Sequence, residues 1–191
     1  MLDGFGHPYS PDQLDALSFL AYNPHSMPIL EANTFEFISR SPDQTRRVGM
    51  RLGAILQRGD VVCLDGELGA GKTTLVQGIA SGWGSTDPVS SPTFIIINLY
   101  RRTDDEKLAH LDAYRLDGAA EAEMLDIEAL LADGPLVVEW APRILDSLPD
   151  ENLSVLMSWV EEEYRDMKFV ANGTHYEEML TTLQDNILRG A

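Results

Sequence analysis

Val61-Val62-Cys63-Leu64-Asp65-Gly66-Glu67-Leu68-Gly69-Ala70-Gly71-Lys72-Thr73-Thr74-Leu75-Val76-Gln77-Gly78-Ile79-Ala80-Ser81 is the stretch from which the rest of the chain can be read. A short apolar run comes first, a glycine-rich segment follows, and apolar residues then recur at helical spacing, which predicts strand, loop and helix. Gly66, Gly71, Lys72 and Thr73 satisfy the pattern G-x-x-x-x-G-K-[ST] in the strand-to-helix setting that gives it meaning. Glycines let the backbone wrap a phosphate with its N–H groups pointing inward, and the new helix adds unpaired amides and the positive end of its dipole. Lys72 is then placed to reach the β- and γ-phosphates of a nucleotide, and the Thr73 hydroxyl to bind Mg²⁺. The competing reading is a plain glycine-rich turn, which leaves the lysine and threonine without a role.

Upstream, Thr34–Ser39 alternates as a strand does, and Ser41-Pro42-Asp43-Gln44 opens a helix with Ser at the N-cap, Pro at the first position and Gln three residues after the cap. Val48, Leu52, Ile55 and Leu56 share one face of that helix, and Gly59 is its expected stop. Ser41 to Thr45 lead toward the loop, so they either approach the nucleotide or serve only as a cap. Residues 1–30 carry Pro8, Pro11, Pro24 and Pro28 and read as an extension, leaving 31–191 as the phosphate-loop domain. Downstream, a polar turn at Pro88–Thr93 precedes a predicted buried strand, Phe94–Tyr100, which a charged turn at Thr103–Glu106 joins to an antiparallel partner over Lys107–Leu116. Glu121–Ala132 reads as one helix with Met124, Ile127 and Leu131 on a face, Leu136–Val138 as a buried strand, Leu153–Val160 and Tyr164–Val170 as a hairpin, and His175–Leu188 as a closing helix.

A phosphate loop of this kind needs an acid at the end of a second strand to hold Mg²⁺ directly or through water. Glu139, after an apolar triplet, and Asp112, near His110, Tyr114 and Arg115, both qualify as metal-holding or catalytic carboxylates, with an ordinary ion-pair role as the alternative for each. His110 taken alone reads as structural. Thr93 is either a phosphate-sensing hydroxyl or turn chemistry, and Trp140 either stacks on a base or partner or belongs to the core. No Asn-Lys-x-Asp segment for guanine is present, nor an arginine-rich lid, although Arg101, Arg102 and Arg143 are candidates for one. These features favour ATP hydrolysis over GTP switching or transfer to a metabolite.

Composition narrows the setting. The chain has 191 residues, 44% of them hydrophobic, which suits one α/β domain with a substantial core. Its apolar runs are too short to span a bilayer, Met1-Leu2-Asp3-Gly4 does not begin a signal peptide, and one cysteine, Cys63, reads as a buried apolar residue, so cytoplasm is the expectation. Thirty-one acidic residues against fourteen basic ones give a net charge of −17. Such a surface repels nucleic acid and either serves solubility or steers docking onto a basic protein.

Taken in order, Thr45, Leu64–Thr74, Val89-Ser90-Ser91-Pro92-Thr93-Phe94, His110-Leu111-Asp112-Ala113-Tyr114-Arg115-Leu116 and Val138-Glu139-Trp140 make the chain resemble the TsaE family, small bacterial P-loop ATPases needed for the threonylcarbamoyl modification of adenosine in tRNA. The resemblance covers most of residues 34–170, and its loop begins Gly-Glu-Leu where Gly-Asp-Leu is commoner. It implies a three-layer P-loop NTPase fold, a mixed β-sheet flanked by helices, with ATP or ADP and Mg²⁺ as ligands. It further implies nucleotide contacts from Thr45 and from Leu68, Gly69, Ala70, Gly71, Lys72, Thr73 and Thr74, with Arg165 matching an arginine near the nucleotide; Trp140, as the stacking residue, joins the expected nucleotide contacts. Thr73 and Glu139 would bind Mg²⁺, and Asp112 would be needed for hydrolysis. TsaD and TsaB are the implied partners, whose complex the ATPase resets between turnovers. A small-molecule kinase and a nucleotide-gated adaptor with incidental hydrolysis are the alternative functions.

Overall fold

A computed structural model describes residues 33–89, 96–116, 119–122 and 124–189. The expected extension over 1–30 and the Ser-Pro-Thr turn with Thr93 lie outside the described residues. The elements are β1 (Thr34–Ser39), α1 (Pro42–Gly53), β2 (Val61–Asp65), α2 (Lys72–Trp83), β3 (Ile97–Arg101), β4 (Lys107–Asp112), α3 (Ala119–Ala122), α4 (Ile127–Asp133), β5 (Leu136–Glu139), β6 (Asn152–Trp159), β7 (Arg165–Asn172) and α5 (Thr174–Arg189), with short 3₁₀ turns after β4 and β5.

The strands form one seven-stranded sheet in the order β1-β7-β6-β2-β5-β4-β3. Its centre is parallel: β2 pairs with β5 and with β6, and β5 with β4. Antiparallel strands close both sides, β3 on β4 at one edge and β7 then β1 at the other. Because successive side chains of a strand point to opposite faces, the continuous apolar runs of β2 and β5 fill two cores. Val62, Leu64 and Val137 face the layer made by α1, α2 and α5, while Val61, Cys63, Leu136 and Val138 face the layer that includes Ala141, Ile144 and Leu148. This is the mixed three-layer architecture that the resemblance implies. Cys63 is buried, and that burial pushes its thiol pKa up to about 12.

α1 and α2 pack with almost no space between their backbones. A methyl group at Gly49 would meet the Leu75 carbonyl, one at Gly53 the Ile79 carbonyl, one at Gly78 the Arg46 carbonyl and one at Gly82 the Met50 carbonyl. One glycine pair on each helix, its members four residues apart, thus sets the approach of α1 to the helix that carries the loop.

Several boundaries differ from the periodicity. α1 ends at Gly53 rather than near Gly59, and Ile55 and Leu56 follow in turns whose N–H groups reach Leu52 and Gly53. Leu56 is still buried in the same core, so the apolar pattern runs past the end of the helix. The predicted helix 121–132 is two pieces. Asp126 caps the second by accepting from Ala129 N at 3.0 Å, and Met124, expected on the buried face, is 83% exposed. β3 is an edge strand in which only Tyr100 is buried, not a fully buried one. The strand expected over 107–116 stops at Asp112, whose side chain accepts from Tyr114 N and starts a 3₁₀ turn. No helix among the described residues is long and apolar enough to cross a membrane.

Candidate nucleotide site

The loop leaves β2 at the carboxyl end of the parallel strands, where ligands of open α/β sheets bind. Gly66 and Gly71 have φ of 144° and 98°, in the region that favours glycine, and a side chain on Gly66 would meet the Met157 carbonyl of β6. These two positions turn the chain back over the start of α2. Lys72, the first residue of that helix, is 5% exposed, and its Nζ donates to the carbonyls of Gly66 at 2.5 Å and Glu67 at 2.9 Å. The ammonium also lies 3.9 Å from the centre of the Trp140 ring. Burial lowers the Lys72 pKa, against the opposing pull of Glu139, Asp65, Asp112 and Glu67.

Glu139 and Asp112 end adjacent parallel strands and are partners in register. Thr73 Oγ1 donates to Glu139 Oε1 at 2.8 Å, and His110 Nε2 lies 3.0 Å from the same oxygen. Burial raises the Asp112 pKa, the Tyr114 N–H opposes that rise, and the Glu139 charge adds to it. Two neighbouring carboxylates beside a hydroxyl form a hard oxygen donor set that suits Mg²⁺, which takes one or two carboxylates and completes its shell with phosphate oxygens and water. Among the described residues no three His, Cys, Asp or Glu side chains gather into a metal cage, and this mode of binding needs none.

A cleft of about 460 Å³ lies over these groups, lined by Leu68, Gly69, Gly71, Lys72, Thr73, Thr74, Asp112, Tyr114, Arg115, Glu139 and Trp140. Most of the residues expected at the site from the sequence therefore line one cavity, and Thr45, Ala70 and Arg165 do not. Ala70, 1% exposed, packs into the core. Thr45 does not line the cleft: it is buried in the first turn of α1, with Oγ1 2.8 Å from Ser39 Oγ. Arg165 stands just outside, its side chain beside Gly71 and its Nη1 donating to the carbonyls of Glu161 and Tyr164.

Tyr114 and Arg115 line the cleft although neither was expected there, and the signal that could have found them is their position directly after a strand-end acid. The Tyr114 ring centre lies 5.1 Å from that of Trp140. Trp140 has φ of 59°, a left-handed conformation rare for a bulky residue, which carries the chain off β5 into the next 3₁₀ turn.

Comparison with known proteins agrees with this geometry. The family model for threonylcarbamoyl adenosine biosynthesis protein TsaE matches residues 39–167. The tRNA threonylcarbamoyladenosine biosynthesis protein TsaE of Bacillus subtilis is 38% identical over 149 residues, 77% of this chain and 93% of that protein. The protein of the same name from Streptomyces coelicolor is 44% identical over 110 residues, 56% of this chain and 74% of that one. The crystal structure of Bacillus subtilis YdiB superposes with a TM-score of 0.69 at 31% identity, covering 80% of this chain and 95% of that one. With a family match across the phosphate loop, both strand-end acids and the sheet that holds them, the chain belongs to the TsaE family.

Proposed function

We propose that this protein is a Mg²⁺-dependent ATPase that serves tRNA threonylcarbamoyladenosine biosynthesis in the cytoplasm by acting on the TsaD–TsaB complex. The observation that carries the reading is the bond from Thr73 to Glu139 beside the buried Lys72 in a glycine loop. Hydroxyl, carboxylate and ammonium are then within reach of one set of phosphate oxygens. The names of the relatives supply the pathway, and the excess of acid on the chain supports a role exercised through proteins rather than by gripping tRNA.

Lys72 would leave the carbonyls of Gly66 and Glu67 for the β- and γ-phosphates. Backbone N–H groups of the loop and the first turn of α2 would hold the phosphate chain. Thr73 and Glu139 would hold Mg²⁺, which when bound would supply neutralisation of phosphoryl charge. Asp112, whose raised pKa suits a proton acceptor, would orient the attacking water. The Trp140 ring would flank the nucleotide. Thr45 and Arg165 would act from the periphery, through the start of α1 and the flank of Gly71. With no arginine from a partner in place the isolated chain would turn over slowly.

The test is phosphate release from Mg²⁺·ATP without any acceptor, paired with ATP binding by Lys72→Ala. Release that needs no acceptor separates the ATPase from a small-molecule kinase. Each charge-assisted hydrogen bond from Lys72 to phosphate is worth about 1.5–3 kcal/mol, so in the alanine variant affinity should fall by about 10- to 100-fold or more. Parent-like ATP affinity in Lys72→Ala would remove the assignment.

A further inference from the structure

Behind Glu139 runs a largely buried hydrogen-bonded chain whose other members do not line the cleft. Asn98 Nδ2 donates to the Tyr100 hydroxyl at 3.4 Å, that hydroxyl lies 3.2 Å from His110 Nδ1, and His110 Nε2 lies 3.0 Å from Glu139 Oε1. Tyr100, His110 and Glu139 are 3%, 0% and 4% exposed. The chemistry of the two ends sets its direction. A carboxylate can only accept, so Nε2 carries the proton toward Glu139. In a neutral imidazole Nδ1 is then the acceptor, and the Tyr100 hydroxyl donates to it while taking the Asn98 amide proton on its oxygen.

We propose that His110 is a positioning residue for Glu139, an Nε2–H tautomer held by Tyr100 that fixes the rotation of the carboxylate presented to the cleft. Among the described residues both hydrogen bonds to Glu139 fall on Oε1, one from His110 and one from Thr73, which leaves Oε2 available to a ligand. Without the imidazole the carboxylate would keep a single hydrogen bond, from Thr73, and would be freer to rotate away from the metal. The inference rests on reading Glu139 as the metal-holding acid. It deepens that reading by tracing the acid's orientation to Tyr100 on the edge strand β3, next to the strand that carries His110.

Imidazole ¹H–¹⁵N NMR on the full ligand-free chain, with the His110 signals assigned by their disappearance in His110→Gln, reads the tautomer directly. A protonated Nε2 and unprotonated Nδ1 are expected, and either the reverse tautomer or a ring protonated at both nitrogens would overturn the proposal. A second readout is Mn²⁺ retention with ATP, followed by electron paramagnetic resonance. His110→Leu should weaken retention by about 10- to 100-fold, the usual effect of removing an outer-shell partner, while metal-free ATP binding stays at the parent level. His110→Gln, which restores an N–H donor at the Nε2 position, should recover most of that affinity. Parent-like Mn²⁺ retention in His110→Leu would also overturn the proposal. If the parent itself holds no Mn²⁺·ATP, the functional reading fails, and the tautomer alone then decides the relay. That measurement needs no substituted protein to fold other than the conservative glutamine variant.

Discussion

Lys72 and Asp112 line the same cleft, and burial disfavours the charged form of each, lowering the lysine pKa and raising that of the aspartate. The aspartate result has a definite sign. A carboxyl group whose folded pKa is raised lends its full stability below the ordinary value of 3.8 and loses it as pH rises through the raised value. Ionised Asp112 therefore destabilises the ligand-free fold at neutral pH. Asp112→Asn keeps an oxygen for the Tyr114 N–H, so it should unfold at a higher temperature than the parent near neutral pH, with the gain fading toward about pH 3. The same variant should be unable to hydrolyse ATP. Thermal unfolding across pH, without Mg²⁺ or nucleotide, checks the first outcome, and a lower melting temperature at neutral pH would contradict it. The loop, Asp112 and Glu139 were legible in the sequence because their chemistry is written in residue type and spacing. The left-handed backbone of Trp140 and the contact of its ring with Lys72 were not, since neither leaves a periodic trace.

Between elements, the decisive contact is that of α1 with α2, the helix that carries the loop. An alanine inside a helix ordinarily gains up to about 1 kcal/mol over glycine in propensity. At Gly78 a Cβ would lie 2.9 Å from backbone atoms of Arg46 and closer still to its carbonyl oxygen, and a backbone cannot step aside as a side-chain tip can. Overpacking of this kind costs about 1–3 kcal/mol or more, so it outweighs propensity. Gly78→Ala should lower the urea midpoint, and a stabilised variant would show that the two helices have room between them. The sequence displayed Gly49, Gly53, Gly78 and Gly82, but a glycine pair on one helix gains meaning only when its partner helix is known. The same limit explains the misplaced helix boundaries. Apolar spacing reports which residues reach a core, and both Leu56 in a turn and Leu125 before a cap reach one without being helical.

At the scale of the molecule, topology brings the loop after β2 and the ends of β4 and β5 to one edge of the sheet, so Leu68 and Trp140, far apart in the chain, line one cleft. The strand order that does this could be inferred only through the family resemblance, because non-neighbouring strands carry no local record of their pairing. A net charge of −17 should make the proposed docking onto the TsaD–TsaB complex electrostatic in part, and affinity should fall as ionic strength rises and shortens the reach of surface charge to about 10 Å or less. Titration calorimetry at several salt concentrations checks this, and a salt-independent affinity would count against a charged docking face.

The central claim is that ATP cleavage at Glu139, not ATP binding alone, sustains the modification. Its most direct measurement is multiple-turnover threonylcarbamoylation of tRNA in a reconstituted system with TsaD and TsaB, comparing the parent with Glu139→Gln. The variant should bind ATP yet fail to release phosphate, and product should stop after about one turnover of the complex. Product continuing at the parent rate with hydrolysis abolished would contradict the claim and leave this protein a nucleotide-gated adaptor.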